Sequence, residues 1–554
     1  MNSLQEQNQG GSAASQAKPD YDVISVGAGF AGLGLIHYMR EAGLSIRVFD
    51  RASDIGGTWT WNRYPGAATD SEGYYYCLAF SKEILQEWSW TKRYPGWEET
   101  HQYMHFVADK CDMWPHIQLN TEIASAEFQE DSGHWLVRTG SGEEFTCKYF
   151  ISGMGMISEP YIPNIKGKDS FKGPCFHSAR WPQEGLDYAG KRVAIIGCGA
   201  TTVQMLPIVA QTAESVTVFQ RTPNFVMPAV QKPMTPEWEK EIKDNYEAII
   251  DKCRNHAFGM AFDSPVGRNL ADTPPDEVQR VFEEQWPKGS FRFVFETFDD
   301  LLSNPESNQA AADFIISKIH EKVNDPELAE MLTPRGYPLF AKRPPLDHGF
   351  YEAFNRDNVH LVDIKDREPI VEITETGVRT TENLYEFDII VLATGFKAYT
   401  GGIETVEIRG RSGETLKEKW QSESKSIMGV CVADFPNFFV ITGPQAPFAN
   451  LPTSIEQNII WITNCIKKME SEGYDVCTPL ADAEDKWSAH TAEIHDQTLM
   501  SQGDKVNSWM MGANIENKKP RILIYHGGAD VYYAKLRESE NAGFPELQFD
   551  KLAG

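Results

Sequence analysis

The 554-residue sequence has no C-x-x-C pair and no long apolar run. Its nine cysteines are scattered, and no cluster of histidine and cysteine has the spacing of a metal site. Reduced thiols are therefore expected, with neither a disulfide framework nor a bound metal. Because no stretch of about 18 consecutive apolar residues occurs, no transmembrane helix is predicted and no membrane partner is expected.

Basic residues are scarce relative to acidic ones. The 52 Lys and Arg residues stand against 79 Asp and Glu residues, which gives a formal net charge of -27. This charge repels phosphate backbones, so nucleic acid is not an expected partner. Residues 1–20 are rich in Gln, Ser and Gly and carry no basic segment followed by an apolar one, so they are predicted to be a disordered tail. A cytoplasmic monomer or weak homo-oligomer is expected.

A glycine-rich turn between a strand and a helix occurs near the N-terminus. The segment YDVISVGAGFAGLGLIHYMREAGLSIRVFD is typical of a strand, a turn, an amphipathic helix and a second strand. Gly27 allows the tight turn, Gly29 lets a pyrophosphate approach the backbone, and Gly32 lets helix and strand pack closely. Asp50 ends the second strand, where an acid can accept the ribose hydroxyls. The segment predicts a dinucleotide-binding βαβ unit.

The same pattern recurs in KRVAIIGCGATTVQMLPIVAQTAESVTVFQRTPN. Thr202 stands at the third glycine position, where its β-branched side chain is expected to push helix and strand slightly apart. Arg221 ends the second strand in place of an acid, and a cation there suits the 2'-phosphate of NADP. NADPH is therefore expected here, and a nucleotide fold that binds no nucleotide is the alternative. The predicted cofactor-binding residues of this unit are Gly197, Gly199, Ala200, Thr201, Thr202, Gln220 and Arg221.

Between the two units lies the string FKGPCFHSARWP, with the spacing F-x-G-x-x-x-H-x-x-x-W-P. It resembles the fingerprint of type I Baeyer–Villiger monooxygenases, a family of two-dinucleotide-binding flavoproteins whose first unit holds FAD. GGTWTWNRYPGAATDSE, AKRPPLDHGFYEAFNRDNVHLVD, GPQAPFANLPTSIE and NSWMMGANI extend the resemblance, and the last two are most similar to the cyclohexanone monooxygenase branch. The fingerprint residues are Phe171, Gly173, His177 and Trp181. His177 is interpreted as a linker residue that couples NADP binding to the flavin site, although a core histidine is the commoner case.

The resemblance implies FAD and NADPH as cofactors and a ketone with O2 as substrates. One oxygen atom would be inserted beside the carbonyl through a C4a-peroxyflavin and a Criegee intermediate, giving lactones or esters, with small cyclic ketones as the leading substrates. Arg343 matches the catalytic arginine, since a guanidinium stays charged and offers several donors, and Asp70 matches the acid that orients it. Lys342 matches a residue that reaches the 2'-phosphate, and Trp509 a residue that contacts the nicotinamide cofactor. The flavin-pocket residues implied are Gly57, Thr58, Trp59, Trp61, Asp70 and Tyr76.

Two other functional classes stay open. A flavin monooxygenase that oxygenates nitrogen or sulfur uses the same pair of nucleotides, and a non-catalytic nucleotide-sensing flavoprotein is a remote alternative. A disulfide reductase is disfavoured because the C-x-x-C motif is missing.

The predicted fold class is α/β, with two Rossmann-like dinucleotide-binding domains, for FAD and NADP, and a helical insertion in the NADP domain. Glu, Trp and Phe at helical spacing predict the insertion, and the segment FDIIVLATGF resembles the return to the FAD domain. The predicted boundaries are a tail at 1–20, the FAD domain at 21–155 and 389–554, the NADP domain at 156–230 and 335–388, and the insertion at 231–334.

Overall fold

The computed structural model describes residues 18–515 and 519–552, so most of the predicted tail lies outside the described residues. The strands are β1 (Tyr21–Val26), β2 (Ile46–Phe49), β3 (Ile117–Gln118), β4 (Ile123–Gln129), β5 (His134–Thr139), β6 (Glu144–Ser152), β7 (Cys175–His177), β8 (Arg192–Ile196), β9 (Ser215–Gln220), β10 (Met227–Pro228), β11 (Leu346–Asp347), β12 (Val359–Asp363), β13 (Ile370–Ile373), β14 (Gly377–Thr380), β15 (Leu384–Glu386), β16 (Ile389–Leu392), β17 (Glu407–Arg409), β18 (Phe438–Val440), β19 (Ala446–Pro447), β20 (Val476–Pro479), β21 (Ile524–Tyr525) and β22 (Leu547–Asp550).

The α-helices follow the glycine-rich turns and fill the segments between the sheets. They are α1 (Phe30–Glu41), α2 (Thr58–Trp61), α3 (Lys82–Glu87), α4 (Trp97–Lys110), α5 (Ala200–Val209), α6 (Pro236–Asp244), α7 (Tyr246–Arg254), α8 (Pro275–Gln285), α9 (Arg292–Phe295), α10 (Pro305–Lys322), α11 (Pro326–Met331), α12 (Phe350–Ala353), α13 (Leu416–Lys419), α14 (Leu451–Glu472), α15 (Ala481–Asp496) and α16 (Ala529–Asn541). Within the described ranges, no helix combines the length and the apolarity needed to cross a bilayer.

The first sheet is built around β1, which pairs in parallel with β2 on one side and with β6 on the other. Strands β4, β5 and β6 form an antiparallel meander, while β18 pairs in parallel with β6 and β17 with β4. The inner strand β1 is apolar along most of its length because helix α1 covers one face and the β4–β6 side of the fold covers the other. This sheet carries the first glycine-rich turn.

The second sheet is entirely parallel, in the order β12-β9-β8-β16-β7. Together with the first sheet it gives the predicted α/β fold with two Rossmann-like units. Strand β16 pairs with both β7 and β8, so this unit continues at least to Leu392. The second sheet thus extends beyond the predicted boundary at residue 388, because the strand of the FDIIVLATGF string completes it.

The predicted insertion at 231–334 is helical. Every named element from Pro236 to Met331 is a helix, beginning with α6 and ending with α11. Its interior is aromatic, and Phe282, Phe293 and Phe314 pack with ring centroids 5.2 to 5.5 Å apart. These rings join the same apolar core as helix α1, and Ile319 and Leu332 of the insertion join the core of the second unit. The insertion is therefore packed against both units.

Candidate functional site

A cavity opens at the end of β1, where the first glycine-rich turn meets the loop after β2. Ligands of open α/β sheets bind at this place, outside the carboxyl ends of parallel strands. The cavity brings together most of the residues predicted to hold a flavin dinucleotide. Among its lining residues are Gly27, Gly29, Asp50, Gly57, Thr58, Trp59, Trp61 and Tyr76.

The glycines of this turn are required by close backbone contacts. Gly27 has a φ of 110°, and a Cβ there would lie 2.4 Å from the carbonyl oxygen of Gly153. A Cβ on Gly32 would lie 2.2 Å from the carbonyl oxygen of Gly27. Any larger residue would therefore push α1 away from the turn. Gly32 supports the cavity from behind, while Gly29 lines it.

Asp50 is buried at the cavity wall and holds the turn together. Its Oδ2 accepts a hydrogen bond from the N–H of Ala28 at 2.7 Å, and its Oδ1 accepts one from the N–H of Ala52 at 2.8 Å. Burial raises the pKa of Asp50, and these backbone hydrogen bonds oppose the rise. Each carboxylate oxygen has a further lone pair, so Asp50 can accept ribose hydroxyls without releasing the turn.

Two arginines that the sequence reasoning missed flank Trp61. The guanidinium carbons of Arg51 and Arg180 lie 5.7 and 4.5 Å from the indole ring centroid, and both residues line the cavity. Cation–π contacts hold them beside the space for a dinucleotide, where positive charge suits its phosphates. Arg51 directly follows Asp50, and Arg180 lies inside the fingerprint string, so both positions carried a local signal.

A second cavity lies between the two units. It shares Thr58, Trp59 and Tyr76 with the first cavity, so groups bound in the two cavities would meet at these residues. Its wall combines predicted residues from both units and from the C-terminal segment. Among them are Asp70, Gly199, Ala200, Thr201, Lys342, Arg343 and Trp509.

Arg343 and Asp70 form an ion pair in this second cavity, through Nη2 and Oδ2. Their side chains are only 16% and 11% exposed. Within the described part of the chain, the buried Nε of Arg343 and the buried Oδ1 of Asp70 have no hydrogen-bond partner. Burial lowers the pKa of Arg343 to about 10, which the nearby Tyr64 opposes, so the guanidinium remains a cation at neutral pH. The pair therefore keeps unused polar atoms for a ligand.

The backbone of Arg343 and the loop that carries Asp70 are fixed by amide side chains. The Nδ2 of Asn224 donates to the carbonyl oxygen of Arg343 at 3.0 Å. The Nε2 of Gln204, on α5, donates to the carbonyl oxygen of Ala68 at 3.0 Å, and its Oε1 accepts a hydrogen bond from Tyr64 at 2.7 Å. These bonds tie the second unit to the loop of the first, and the sequence patterns did not indicate them.

The second glycine-rich turn also has the geometry of a nucleotide site. Gly197 has a φ of 120°, and a Cβ there would lie 2.3 Å from the carbonyl oxygen of Ala393. A Cβ added to Gly199 would meet no heavy atom within 4 Å, so this position is open to a ligand. Thr202 is fully buried, and its hydroxyl donates to the carbonyl oxygen of Gly197 at 2.8 Å. The second unit thus has room for the side chain of Thr202, whereas the first unit has no room for a side chain at Gly32.

Comparisons with known proteins agree with this geometry. Residues 21–260 match the family described as flavin-binding monooxygenase-like. The chain is 41% identical over 538 residues to a Baeyer-Villiger monooxygenase of Pseudooceanicola batsensis, which covers 96% of this chain and 97% of that protein. This chain belongs to the Baeyer–Villiger monooxygenase family.

Other similar proteins span the same length. A phenazine N-monooxygenase of Lysobacter antibioticus is 41% identical over 530 residues, 95% of this chain and 96% of that protein. The crystal structure of a cyclohexanone monooxygenase from Rhodococcus sp. Phi1 bound to NADP+ superposes with a TM-score of 0.93 at 38% identity, covering 96% of this chain and 99% of that one. This Baeyer–Villiger monooxygenase therefore shares its fold with that enzyme over nearly the whole chain.

Three of the predicted cofactor-binding residues, Gln220, Arg221 and Lys342, differ in placement. Gln220 is buried, and its Nε2 donates to the carbonyl oxygen of Met331 at 2.8 Å, so its amide is used inside the fold. Arg221 is exposed at the end of β9. Lys342 lines the second cavity, and burial lowers its pKa to about 8, helped by the charge of Arg221. The structure thus brings Arg221 and Lys342 near each other and turns Gln220 away.

The fingerprint residues of this Baeyer–Villiger monooxygenase pack and link the units without lining either cavity. His177 is buried; its Nε2 lies 2.9 Å from the carbonyl oxygen of Gly395, and its Nδ1 accepts from the N–H of Ala179 at 3.1 Å. Nε2 must therefore carry the proton, and burial lowers the pKa of His177 to about 4. The neutral ring joins the end of β7 to the segment after β16.

The other fingerprint positions have packing roles. The ring of Trp181 lies 5.2 Å from that of Phe176 at a near-perpendicular angle, inside the core of the second unit. A Cβ on Gly173 would lie 2.4 Å from the carbonyl oxygen of Asp388, and Phe171 packs on the neighbouring apolar cluster. Several backbone segments therefore meet at this string, and each contact restricts one of its residues.

Aromatic residues enclose Arg343 in the second cavity. Its guanidinium carbon lies 5.7 Å from the ring centroids of both Phe291 and Phe448. The ring of Trp509 lies 5.4 Å from that of Phe448 at 79°. These rings exclude water from the cation, and Phe291 comes from the helical insertion, where no sequence motif pointed to it.

Proposed function

We propose that this Baeyer–Villiger monooxygenase uses FAD, NADPH and O2 to convert ketones, cyclic ketones foremost, into lactones or esters. The observation that supports this most is the buried Arg343–Asp70 pair, with its unused polar atoms, in a cavity that shares its wall with the dinucleotide cavity. The cavities fit the two nucleotides, because Gly29 lies at the wall of the first and the backbone at Gly199 is open toward the second.

The chain's own residues supply a positive charge, hold it in one orientation and exclude water from it. The flavin, when bound, takes hydride from NADPH and activates O2. Arg343 places a positive charge in the second cavity, where it would stabilise negative charge that develops during attack on a carbonyl carbon. Asp70 keeps the guanidinium plane in one orientation by accepting from Nη2. Phe291 and Phe448 remove water around the cation, which strengthens its interaction with a developing anion.

Product analysis tests this function. The purified yellow protein would be incubated in air with NADPH, a panel of cyclic and linear ketones, and a thioether, and the products would be separated by gas chromatography. A lactone or ester formed in proportion to the NADPH consumed is the expected result. Hydrogen peroxide as the only product, with no oxygenated organic compound, would contradict the proposal.

Oxygenation of nitrogen is a second candidate, because a phenazine N-monooxygenase is as similar in sequence as the Baeyer-Villiger relative. The two reactions require different states of the oxidant. Attack on a carbonyl requires an anion, whereas attack by nitrogen or sulfur requires a neutral hydroperoxide. A cation such as Arg343, kept charged in a dry site, favours the anion. An N-oxide or a sulfoxide without any ester in the same product analysis would favour this second candidate.

Arg221→Ala is expected to raise the Michaelis constant for NADPH by about 10-fold or more and to leave that for NADH nearly unchanged, because one charge-assisted contact to the 2'-phosphate is lost. Steady-state kinetics with both cofactors measure this. Arg356→Ala is the matched control, since Arg356 is also exposed in the second unit and lines neither cavity. An equal change for NADPH and NADH in Arg221→Ala would show that Arg221 does not recognise the 2'-phosphate.

The kcat/KM for NADPH is expected to fall as the pH rises above about 8. Burial lowers the pKa of Lys342 to about 8. Its amine is therefore protonated and positively charged below this pH and neutral above it. The kcat/KM for NADPH reports groups of the free enzyme, whereas NADH has no 2'-phosphate for the cation. Lys342→Arg should remove the fall, because a guanidinium keeps its charge. A fall of equal size with NADH would point to a different group.

A further inference from the structure

Asp54, His101 and His105 form a cluster outside the two cavities that the proposed reaction does not use. The two histidines are spaced i, i+4 on α4, which places both imidazole rings on one helix face. Asp54 lies in the loop after β2, and one potential ligand atom from each residue falls within 4.8 Å of the others. The sequence shows no metal-site spacing here because Asp54 lies 47 positions from His101, the nearer of the two histidines.

The contacts in this cluster are short but are not hydrogen bonds. The Nε2 of His101 lies 3.2 Å from Oδ2 of Asp54, and the Nε2 of His105 lies 3.0 Å from Oδ1. Within the described residues, both Nε2 atoms are buried and have no hydrogen-bond partner. Two ligands bound at about 2.1 Å to one ion lie about 3.0 to 3.4 Å apart, with each lone pair directed at the ion rather than at the other ligand. The two nitrogen–oxygen distances of the cluster fall in this range, and its ligand atoms all lie within 4.8 Å of one another.

We propose that Asp54, His101 and His105 bind one divalent late first-row transition metal ion, of which Zn²⁺ is the representative. Two imidazole nitrogens and one carboxylate suit Zn²⁺, Ni²⁺ or Cu²⁺ and do not suit Mg²⁺ or Ca²⁺, which take oxygen ligands. The side chains are 15% to 34% exposed, so the cluster lies close to solvent, which can supply water ligands to complete the coordination of an ion.

The position of the cluster gives the ion a structural effect. Asp54 stands two residues before Gly56, and Gly56 and Gly57 line the first cavity. His101 lies against the same loop, since a Cβ on Gly56 would be 2.9 Å from its Cδ2. An ion held by all three residues clamps α4 to this loop. The metal site therefore stabilises the wall of the dinucleotide cavity without touching the reacting atoms.

Zinc binding to the flavin-loaded enzyme tests the proposal. The protein would be stripped with a chelator, desalted and titrated with Zn²⁺ against a chromophoric zinc indicator. One zinc ion per chain is expected for the wild type, with at least about 100-fold weaker binding in His105→Asn, since a lost ligand costs more than a lost outer-shell partner. His360→Asn is the control, because His360 is exposed on β12 in the second sheet. Binding that is equal in wild type and His105→Asn would overturn the proposal.

A second measurement on the wild type keeps the test independent of variant folding. Cu²⁺ binds such sites more tightly than Zn²⁺, and its paramagnetic resonance spectrum shows splitting from directly bound nitrogen. A spectrum of one copper ion with two imidazole nitrogens is expected. A spectrum without nitrogen splitting, as from adventitious carboxylate binding, would reject the site.

The clamp predicts a change in flavin retention. Zn²⁺ should raise the temperature at which flavin is released from the wild type and from His360→Asn, because a ligand that binds only the folded state stabilises it. In His105→Asn the release temperature should not respond to Zn²⁺. A release temperature that rises equally in all three proteins would contradict the clamp.

Discussion

Replacing Arg343 with alanine is expected to lower the rate of ketone oxygenation by at least about 100-fold, the effect of removing one donor from a charge-stabilising site. The guanidinium sits in a cavity wall between Phe291 and Phe448, where little water can replace its charge. Its loss also leaves Asp70 buried without its ion-pair partner. Negative charge that develops on the reacting oxygen atoms would then face a carboxylate instead of a cation.

The measurement separates two half-reactions of the same variant. Flavin content and the rate of flavin reduction by NADPH without oxygen should stay near the wild-type values, because Arg343 does not line the first cavity. Product formation in air should fall, with NADPH diverted to hydrogen peroxide. Arg335→Ala is the control, since Arg335 is an exposed arginine paired with Glu330 at the surface. Full ester formation by Arg343→Ala would remove Arg343 from the mechanism.

Gly32→Ala is expected to yield protein that retains little flavin. The new Cβ would lie 2.2 Å from the carbonyl oxygen of Gly27 and 3.2 Å from Cγ1 of Val48. Both neighbours belong to the turn and strand that form the first cavity, so α1 must move away from them. Overpacking of this kind costs about 1 to 3 kcal/mol or more, which corresponds to at least about fivefold weaker flavin binding if the cost falls on the bound geometry.

The ratio of flavin to protein after purification, and the midpoint of thermal unfolding, measure this effect. Gly140→Ala is the matched control, because a Cβ at Gly140 meets its nearest atoms, those of Glu122, only at 3.8 Å, which is ordinary van der Waals contact. The control should retain its flavin. A Gly32→Ala protein with full flavin content and unchanged unfolding temperature would show that the helix and strand can separate at no cost.

The tertiary structure alone decided which distant residues meet. Arg343 and Asp70 are 273 positions apart, and their pairing was inferred from family resemblance rather than from any local pattern. Phe291 and the cluster of Asp54, His101 and His105 had no such resemblance to indicate them. Strand β16 belongs to the second sheet because it pairs with β7 and β8, and Gln220 turns inward because the carbonyl of Met331 accepts its amide.

The sequence by itself determined the two nucleotide-binding turns and the helical character of the insertion. A strand, a glycine turn and a helix are contiguous in the sequence. Their spacing is therefore enough to predict that Gly27 and Gly29 form a dinucleotide-binding turn and that Gly32 lets the helix pack closely on the strand. Helical periodicity is equally local. Contacts across the two units are different, because they depend on how the sheets pack and on the rotamers that packing selects. The ion pair of Arg343 with Asp70, the proposed metal-binding cluster and the inward amide of Gln220 all depend on that packing. Only the tertiary structure therefore decided them.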